Sequence, residues 1–216
     1  MQLATFALYG SSFGRLLPLV VNRAELSSNL TKFYDFRGKS VIYVGAGRGQ
    51  LLRPTTGVAS VVAIDRDPGS LEGFRGEAST EWVGIPIQFV PRAFETVEAR
   101  GDTVYFEFCM HYMEDPAKTL EHARSMARDI VVMDHLPESE WVYYWAGEDA
   151  VRRSTKTIES FGVRSRKALT AEQKFEDWEA LATRLTGEGE ESNRRVLELK
   201  GAKDIRVRMD YCLYLI

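Results

Sequence analysis

The sequence has little cysteine, few histidines and no excess of positive charge. Its 216 residues include only two cysteines, Cys109 and Cys212, which provide neither a disulfide framework nor a zinc site. We therefore expect a reduced, cytoplasmic setting and no metal. The formal net charge of −3 argues against a general nucleic-acid binder, because neutralising many phosphates requires a surplus of lysine and arginine.

Long apolar runs are also missing, so no membrane span is expected. The opening segment, residues 1–21, is apolar enough to resemble a signal peptide, but it lacks a basic leading region and Arg15 interrupts its second half. The densest group of cations is at residues 152–167, which we interpret as a solvated helix face rather than an anion site. The composition, 44% hydrophobic and 27% charged, is that of one globular domain.

Short apolar segments alternate with helical patterns through the middle of the chain. Between two of these segments, Asp115 is a predicted N-cap and Pro116 the first residue of a helix. Segments that are apolar throughout predict strands buried on both faces, as in a parallel sheet. The alternation predicts an α/β fold with right-handed crossovers and a doubly wound sheet. Four such strands are predicted at residues 59–65, 85–90, 102–108 and 129–134.

Both ends of the chain differ from this pattern. Residues 1–38 are predicted as a helical N-terminal cap, and residues 137–186 as a helical lid inserted after the core. Within the lid, Thr170 is expected to cap a helix with an apolar stripe. That stripe consists of Phe175, Trp178, Leu181 and Leu185.

The last segment predicts an antiparallel hairpin. Residues 194–201 and 205–216 are strand-like and separated by a short turn. We therefore predict one domain, residues 1–216. Its parts are the cap at 1–38, the core at 39–136, the lid at 137–186 and the terminal hairpin at 187–216.

Three glycines follow the first apolar segment at every second position, in VGAGRGQ. The absence of a Cβ at Gly45, Gly47 and Gly49 permits a sharp turn and close approach of a ligand to the backbone. Asp65 ends the next strand, about twenty residues on, where a carboxylate can accept both hydroxyls of a ribose. Together they indicate a nucleoside-containing ligand. Gln50 stands where a dinucleotide fingerprint has glycine or alanine, which disfavours a nicotinamide-dependent oxidoreductase.

With G-x-G-x-G at residues 45–49 and MHYMEDP at residues 110–116, the chain resembles the class I S-adenosylmethionine-dependent methyltransferases of the small-molecule type. The resemblance covers roughly residues 39–137, and the terminal hairpin matches the family's sixth and seventh strands. It implies a Rossmann-like, seven-stranded sheet with S-adenosylmethionine as cofactor. It also implies methyl transfer by in-line displacement to a small, apolar or aromatic acceptor. The alternative is a non-catalytic S-adenosylmethionine-binding sensor or partner subunit.

The resemblance places the cofactor along the strand ends. Gly45 and Gly47 would lie beneath the methionine portion, Asp65 would hold the ribose, and Arg66 would lie near the adenine. Glu107 would be an acceptor near the methionine amino group, or else a buried carboxylate paired elsewhere. The implied cofactor residues are Gly45, Ala46, Gly47, Gly49, Asp65, Arg66, Ala93, Phe94, Glu107 and Phe108.

The adenine site departs from the family pattern. Ala93 stands near the position where the family often has an aspartate that meets the adenine amine. Adenine recognition is therefore assigned to backbone groups and to Phe94 or a neighbour.

Two histidines are candidates for a general base. His111 lies just beyond strand four, where the family places residues that face the methyl group, and a structural role for it is the equal alternative. His135 ends strand five at the same edge of the sheet, whereas His122 is expected to face solvent. Dense aromatic residues predict the acceptor lining, with lid packing as the equal alternative for each ring. These are Tyr9, Phe13, Trp141, Tyr144 and Trp145.

Overall fold

Seven strands form one mixed sheet in the computed structural model, which describes residues 22–216. The strand order is β3-β2-β1-β4-β5-β7-β6. β1 to β5 pair in parallel, and β7 runs antiparallel to both β5 and β6. The predicted Rossmann-like sheet with a terminal antiparallel hairpin is confirmed. The strands are β1 Ser40–Val44, β2 Ser60–Asp65, β3 Ile87–Pro91, β4 Thr103–Glu107, β5 Asp129–His135, β6 Ser165–Asp177 and β7 Lys203–Leu215.

Helices cover both faces of this sheet. The Asp115 side chain accepts a hydrogen bond from the Lys118 backbone N–H at the start of α3, so the predicted cap is confirmed. None of the helices within residues 22–216 is long and apolar enough to cross a membrane. They are α1 Arg23–Phe33, α2 Pro68–Glu81, α3 Pro116–Met126, α4 Glu140–Tyr144, α5 Glu148–Ser160, α6 Trp178–Arg184 and α7 Glu190–Leu197. Short 3₁₀ segments lie at Pro54–Thr56, Phe94–Thr96 and Met110–Tyr112.

The core has two halves, one on each face of the sheet. Successive residues of a strand point to opposite faces, so Tyr43 and Tyr105 enter one half while Ile42 and Val104 enter the other. All four side chains are buried. The central strands are thus covered on both faces, as their continuous apolar character predicts.

The prediction of a helix capped by Thr170 is wrong. Residues up to Asp177 belong to β6, and helix α6 begins one residue later with Asp177 as its N-cap. Ala171, Gln173 and Phe175 are buried at every second position, which is the period of a strand. Pairing with β7 along nearly its whole length overrides the local preference of this polar segment.

The prediction of a strand at residues 194–201 is also wrong. Helix α7 ends at Leu197, and the hairpin pairs β6 with β7 across the intervening helices α6 and α7. Arg194 and Arg195 both pair with Glu191 at the spacing of one helical turn, which supports the helix. The terminal hairpin therefore starts at residue 165, before the predicted boundary at 187.

Candidate active site

The glycine turn directly follows β1. It lies where the strand order of the sheet reverses, between β1 and β4. Gly45, Gly47 and Gly49 have φ angles of 67°, 52° and 72°, which other residues rarely adopt. A Cβ on Gly45 would lie 2.7 Å from the Cys109 side chain, and one on Gly49 would lie 2.3 Å from the Phe74 ring. A Cβ on Gly47 would meet only the Gly45 carbonyl oxygen, at 3.9 Å. Protein packing therefore requires two of the glycines, and Gly47 presents an open side of the backbone.

Asp65 lies beside this turn at the end of β2. Its carboxylate accepts hydrogen bonds from the backbone N–H groups of Gly47, at 2.8 Å, and Asp67, at 2.9 Å. Burial raises the pKa of Asp65, and these backbone donors oppose the rise. The Ala46 N–H donates to the Ile64 carbonyl oxygen, so the turn and the end of β2 are held together. Arg66 is exposed and pairs with Glu95 at 3.4 Å.

The Phe94 ring lies in the core and not at the strand ends. It contacts the rings of Phe106 and His122 at centroid distances of 5.3 and 5.1 Å. Only the backbone of this segment is therefore available to contact an adenine ring. Ala93 precedes it as the N-cap of the 3₁₀ turn. The expectation that His122 faces solvent is wrong, because the ring is half-buried and its Nε2 lies 2.9 Å from the Val97 carbonyl oxygen.

Glu107, the last residue of β4, is held by two tyrosines. The hydroxyls of Tyr43 and Tyr105 both donate to its Oε2, and the two rings stack at 5.3 Å. Burial raises the pKa of Glu107 to about 8, although these hydrogen bonds act to lower it. Glu107 thus has protein partners, as the alternative of a buried carboxylate paired elsewhere requires.

Phe108 makes a strained turn after β4. Its φ of 45° is unusual for a residue with a side chain, and such strain is concentrated at functional sites. The turn is held by a hydrogen bond from its N–H to the Met133 carbonyl oxygen, at 2.7 Å, and its ring lies 4.5 Å from that of His135. Cys109 follows and contacts the glycine turn, since its Sγ lies 3.5 Å from the Val44 carbonyl oxygen. The segment after β4 therefore lies against the glycine turn.

His111 and His135 meet at one buried carboxylate. Nδ1 of His111 lies 2.6 Å from Oδ1 of Asp134, and the backbone N–H groups of His111 and His135 donate to the two oxygens of the same carboxylate. Burial would raise the pKa of Asp134, but the charge and hydrogen bond of His111 outweigh it and hold that pKa below its usual value. Burial and the charge of His111 lower the pKa of His135 to about 3, so this ring is neutral.

Trp145, the C-cap of α4, lies against the same cluster. Its ring lies 5.1 Å from that of His111 and 6.3 Å from that of His135, and Tyr112 lies 4.1 Å from His111. A Cβ on Gly147 would come within 2.0 Å of the indole. Glycine at residue 147 therefore leaves the space that the indole occupies. Among residues 22–216, neither Trp145 Nε1 nor His135 Nδ1 has a hydrogen-bond partner, although both atoms are buried.

The other predicted acceptor residues do not reach the histidines. Trp141 stacks on Phe175 in the core, with an interplanar angle of 14°. Tyr144 packs beside Tyr143, and its carbonyl accepts from the Ser192 hydroxyl of α7 at 2.7 Å. These contacts pack α4 against β6 and α7. Tyr9 and Phe13 lie outside the described residues.

The family match falls on this region. Residues 42–129, which contain the glycine turn, Asp65, Glu107 and His111, match the family described as a methyltransferase domain. Residues 42–129 of the chain thus form a methyltransferase domain. The predicted family is thereby confirmed, since the sheet order found here is the one that defines the fold of this class.

Solved structures show the same fold. The methyltransferase resembles a putative methyltransferase from Bacillus halodurans, with a TM-score of 0.64, 15% identity and coverage of 90% of this chain and 97% of that one. A putative RNA methyltransferase from Pyrococcus horikoshii has a TM-score of 0.57, 16% identity and coverage of 93% and 89%. Magnesium protoporphyrin IX methyltransferase from Synechocystis, crystallised with S-adenosylmethionine, has a TM-score of 0.52, 16% identity and coverage of 89% and 77%. No curated protein matches the sequence.

Sequence reasoning missed two residues of this methyltransferase that shape the site. Asp134 holds both histidines, and the signal for it was an aspartate followed by histidine at the end of an otherwise apolar strand. Gly147 allows the position of Trp145, and no local pattern singles it out from the other glycines of the chain.

Proposed function

We propose that the protein transfers a methyl group from S-adenosylmethionine to a small, apolar or aromatic molecule. The observation that carries the proposal is the pairing of Asp65 with the Gly47 backbone at the strand-order reversal, within a methyltransferase domain. In open α/β sheets, ligands bind at this reversal beyond the carboxyl ends of the strands. A carboxylate there suits a ribose, whose two hydroxyls are donors.

The cofactor would lie across the ends of β1, β2 and β4. Gly45, Ala46, Gly47 and Gly49 would form its floor, with the methionine portion above the open side of Gly47. Asp65 would bind the ribose. At the adenine end, Arg66 and the backbone of Ala93 and Phe94 would supply contacts, because the Phe94 ring is in the core.

Glu107 and Phe108 would bind the amino group of the methionine portion. Since burial raises the pKa of Glu107 to about 8, the protonated acid is favoured near neutral pH. A bound ammonium group would favour the carboxylate instead, because an opposite charge within a few ångströms stabilises the ionised form. Cofactor binding would then release a proton from Glu107.

Catalysis would rest chiefly on alignment. S-adenosylmethionine supplies a methyl group on a sulfonium, and a well-oriented reaction of this kind gains an effective molarity of about 10⁵–10⁸ M. The acceptor would lie among Trp145, His111 and His135, where the rings form apolar walls. His111 is the candidate general base, with His135 as the second candidate.

The aromatic wall and the net charge of the chain support a small acceptor. The candidate wall is formed by the buried side chains of His111, His135 and Trp145. The net charge of −3 also supports this choice over a nucleic acid. Cys109 and Cys212 are unpaired and buried, in agreement with a reduced, cytoplasmic setting.

Calorimetry with S-adenosylmethionine and its demethylated product tests the proposal. We expect both ligands to bind the wild type, Gly47→Val to abolish binding, and Gly162→Val to bind normally. Gly162 is a matched control, because it has a positive φ of 85° and open space around it but lies between α5 and β6, away from the glycine turn. If the wild type binds neither ligand, or if Gly47→Val binds like the wild type, the proposal fails.

A transfer assay with methyl-labelled cofactor then separates the candidate functions. We offer a panel of small aromatic compounds and, in parallel, total RNA. Label transferred to a small compound supports the proposal. Label confined to RNA overturns the acceptor class, and tight cofactor binding without any transfer favours the non-catalytic sensor.

A further inference from the structure

The contact between His111 and Asp134 defines which nitrogen of His111 carries the proton. A carboxylate can only accept hydrogen bonds, so Nδ1, at 2.6 Å from Oδ1, must be the donor. Asp134 is a carboxylate here, because its pKa is held below the usual value. Two backbone N–H groups, of His111 and His135, fix the orientation of the carboxylate. When the His111 ring is neutral, it is thus the Nδ1–H tautomer, with Nε2 free of a proton.

Two buried polar atoms lie in the same cluster without a partner among residues 22–216. These are Nε1 of Trp145 and Nδ1 of His135, and both side chains are more than nine-tenths buried. A buried donor without a partner costs about 1–3 kcal/mol, so such atoms mark places where a ligand completes the hydrogen bonds. An indole N–H can only donate, which calls for an acceptor atom such as an oxygen on the ligand.

We propose that the acceptor is a hydroxyl compound, that Nε2 of His111 removes the hydroxyl proton, and that Asp134 is the positioning residue that keeps His111 in the required tautomer. This inference rests on the proposed function. Trp145 forms the wall of the acceptor site, and its N–H binds an oxygen of the acceptor.

The reaction balances within these residues. The O–H bond of the acceptor breaks and its proton goes to Nε2 of His111, while the oxygen forms a bond to the methyl carbon. The S–CH₃ bond breaks, and its electron pair stays on sulfur as a neutral thioether. The positive charge of the sulfonium is replaced by that of the His111 imidazolium, which Asp134 stabilises at 2.6 Å. The imidazolium then returns its proton to water.

Two other titratable groups lie near His111, and one of them supplies a control. His135 remains neutral, since its pKa is lowered to about 3. Glu188, in the connection between α6 and α7, is half-buried and interacts with both His111 and Arg184. Burial raises the pKa of Glu188, whereas the charges of Arg184 and His111 act to lower it. Within residues 22–216 the Glu188 side chain makes no hydrogen bond to the His111 ring. Glu188→Gln should therefore leave the tautomer unchanged and is the matched control for Asp134→Asn.

Nitrogen-15 NMR of the histidine rings in the ligand-free protein tests the tautomer directly. We expect the Nδ1–H pattern for His111 in the wild type and in Glu188→Gln, and a mixed or Nε2–H pattern in Asp134→Asn, whose amide can donate to Nδ1. An Nε2–H pattern in the wild type overturns the proposal. This wild-type measurement decides the matter even if Asp134→Asn does not fold.

Kinetics test the role in the reaction. With aromatic hydroxyl compounds as acceptors and labelled cofactor, we expect methylation on oxygen, and Asp134→Asn should lower kcat by about 10²–10⁴-fold with an unchanged cofactor Kd. Turnover confined to amines or thiols, or an unchanged kcat in Asp134→Asn, overturns the inference while leaving the methyltransferase proposal intact. If the wild type did not bind the cofactor, the proposed function itself would be overturned.

Discussion

Replacing Gly49 by alanine should destabilise the fold far more than the same change at Gly47. Both positions have a positive φ, 72° and 52°, so both pay the cost of a side chain in this conformation. The new Cβ at position 49 would lie 2.3 Å from the Phe74 ring, whereas at position 47 the nearest atom is 3.9 Å away. Phe74 cannot move aside easily, because it is fully buried between the rings of Trp82 and Phe89.

The magnitudes follow from these two terms. Alanine in the left-handed region costs about 1–2 kcal/mol, and overpacking a buried ring adds about 1–3 kcal/mol. Gly49→Ala should therefore lose about 2–5 kcal/mol of unfolding free energy, against about 1–2 kcal/mol for Gly47→Ala. For a domain of this length each kcal/mol lowers Tm by about 2–4 °C, which predicts losses of about 4–20 °C and about 2–8 °C.

Thermal unfolding followed by circular dichroism measures both losses, and calorimetry with S-adenosylmethionine measures the effect on the site. Gly47→Ala should keep most of its stability and lose cofactor affinity, because its Cβ points into the open side of the turn. Gly49→Ala should show the larger fall in Tm. Equal Tm losses in the two variants would refute the argument that packing against Phe74 requires glycine at position 49.

Three further outcomes follow from the site. Asp65→Ala should weaken S-adenosylmethionine binding by about 1.5–3 kcal/mol in calorimetry, the range for hydrogen bonds to a charged group, and an unchanged Kd would show that the ribose lies elsewhere. The pKa of Glu107 is raised from 4.5 to about 8, so the folded protein holds a proton that the unfolded chain releases, and stability falls as pH rises between these values. Relative to Glu107→Gln, the wild type should therefore lose up to about 1.4 kcal/mol per pH unit in urea unfolding between pH 5 and pH 8, and parallel curves would contradict the shift. Trp145→Phe should raise KM for the acceptor with cofactor affinity unchanged, whereas Trp141→Phe, which alters the stack on Phe175, should lower Tm and leave KM unchanged; the reverse ranking would remove Trp145 from the acceptor site.

Local sequence features were enough to predict the parallel core of the fold. Strand β5 and helix α3 follow from apolar continuity and from the Asp115 and Pro116 start signal. The glycine turn and Asp65 were recognisable because both are local features. The turn requires residues without a Cβ, and Asp65 is a carboxylate at the end of a predicted strand. The structure brings them together at 2.8 Å.

The hairpin was predicted with the wrong partner. Residues 170–177 are rich in polar residues that also suit a helix, and only pairing with β7 makes them a strand. Conversely, residues 194–201 were predicted as a strand, but the first four of them lie in α7. Long-range pairing decides both segments, and a short window of sequence does not contain it.

The sequence by itself determined the class of fold and the position of the glycine turn, because these depend on strand periodicity and on local backbone requirements. Its motifs carried the resemblance to the family. Only the tertiary structure decided which side chains meet. His111, Asp134 and Trp145 come from three different segments and form one cluster, while the Phe94 ring points into the core and Glu107 is held by two tyrosines. The physical reason is that side-chain direction and contacts across the sheet depend on how strands register and how loops pack over their ends.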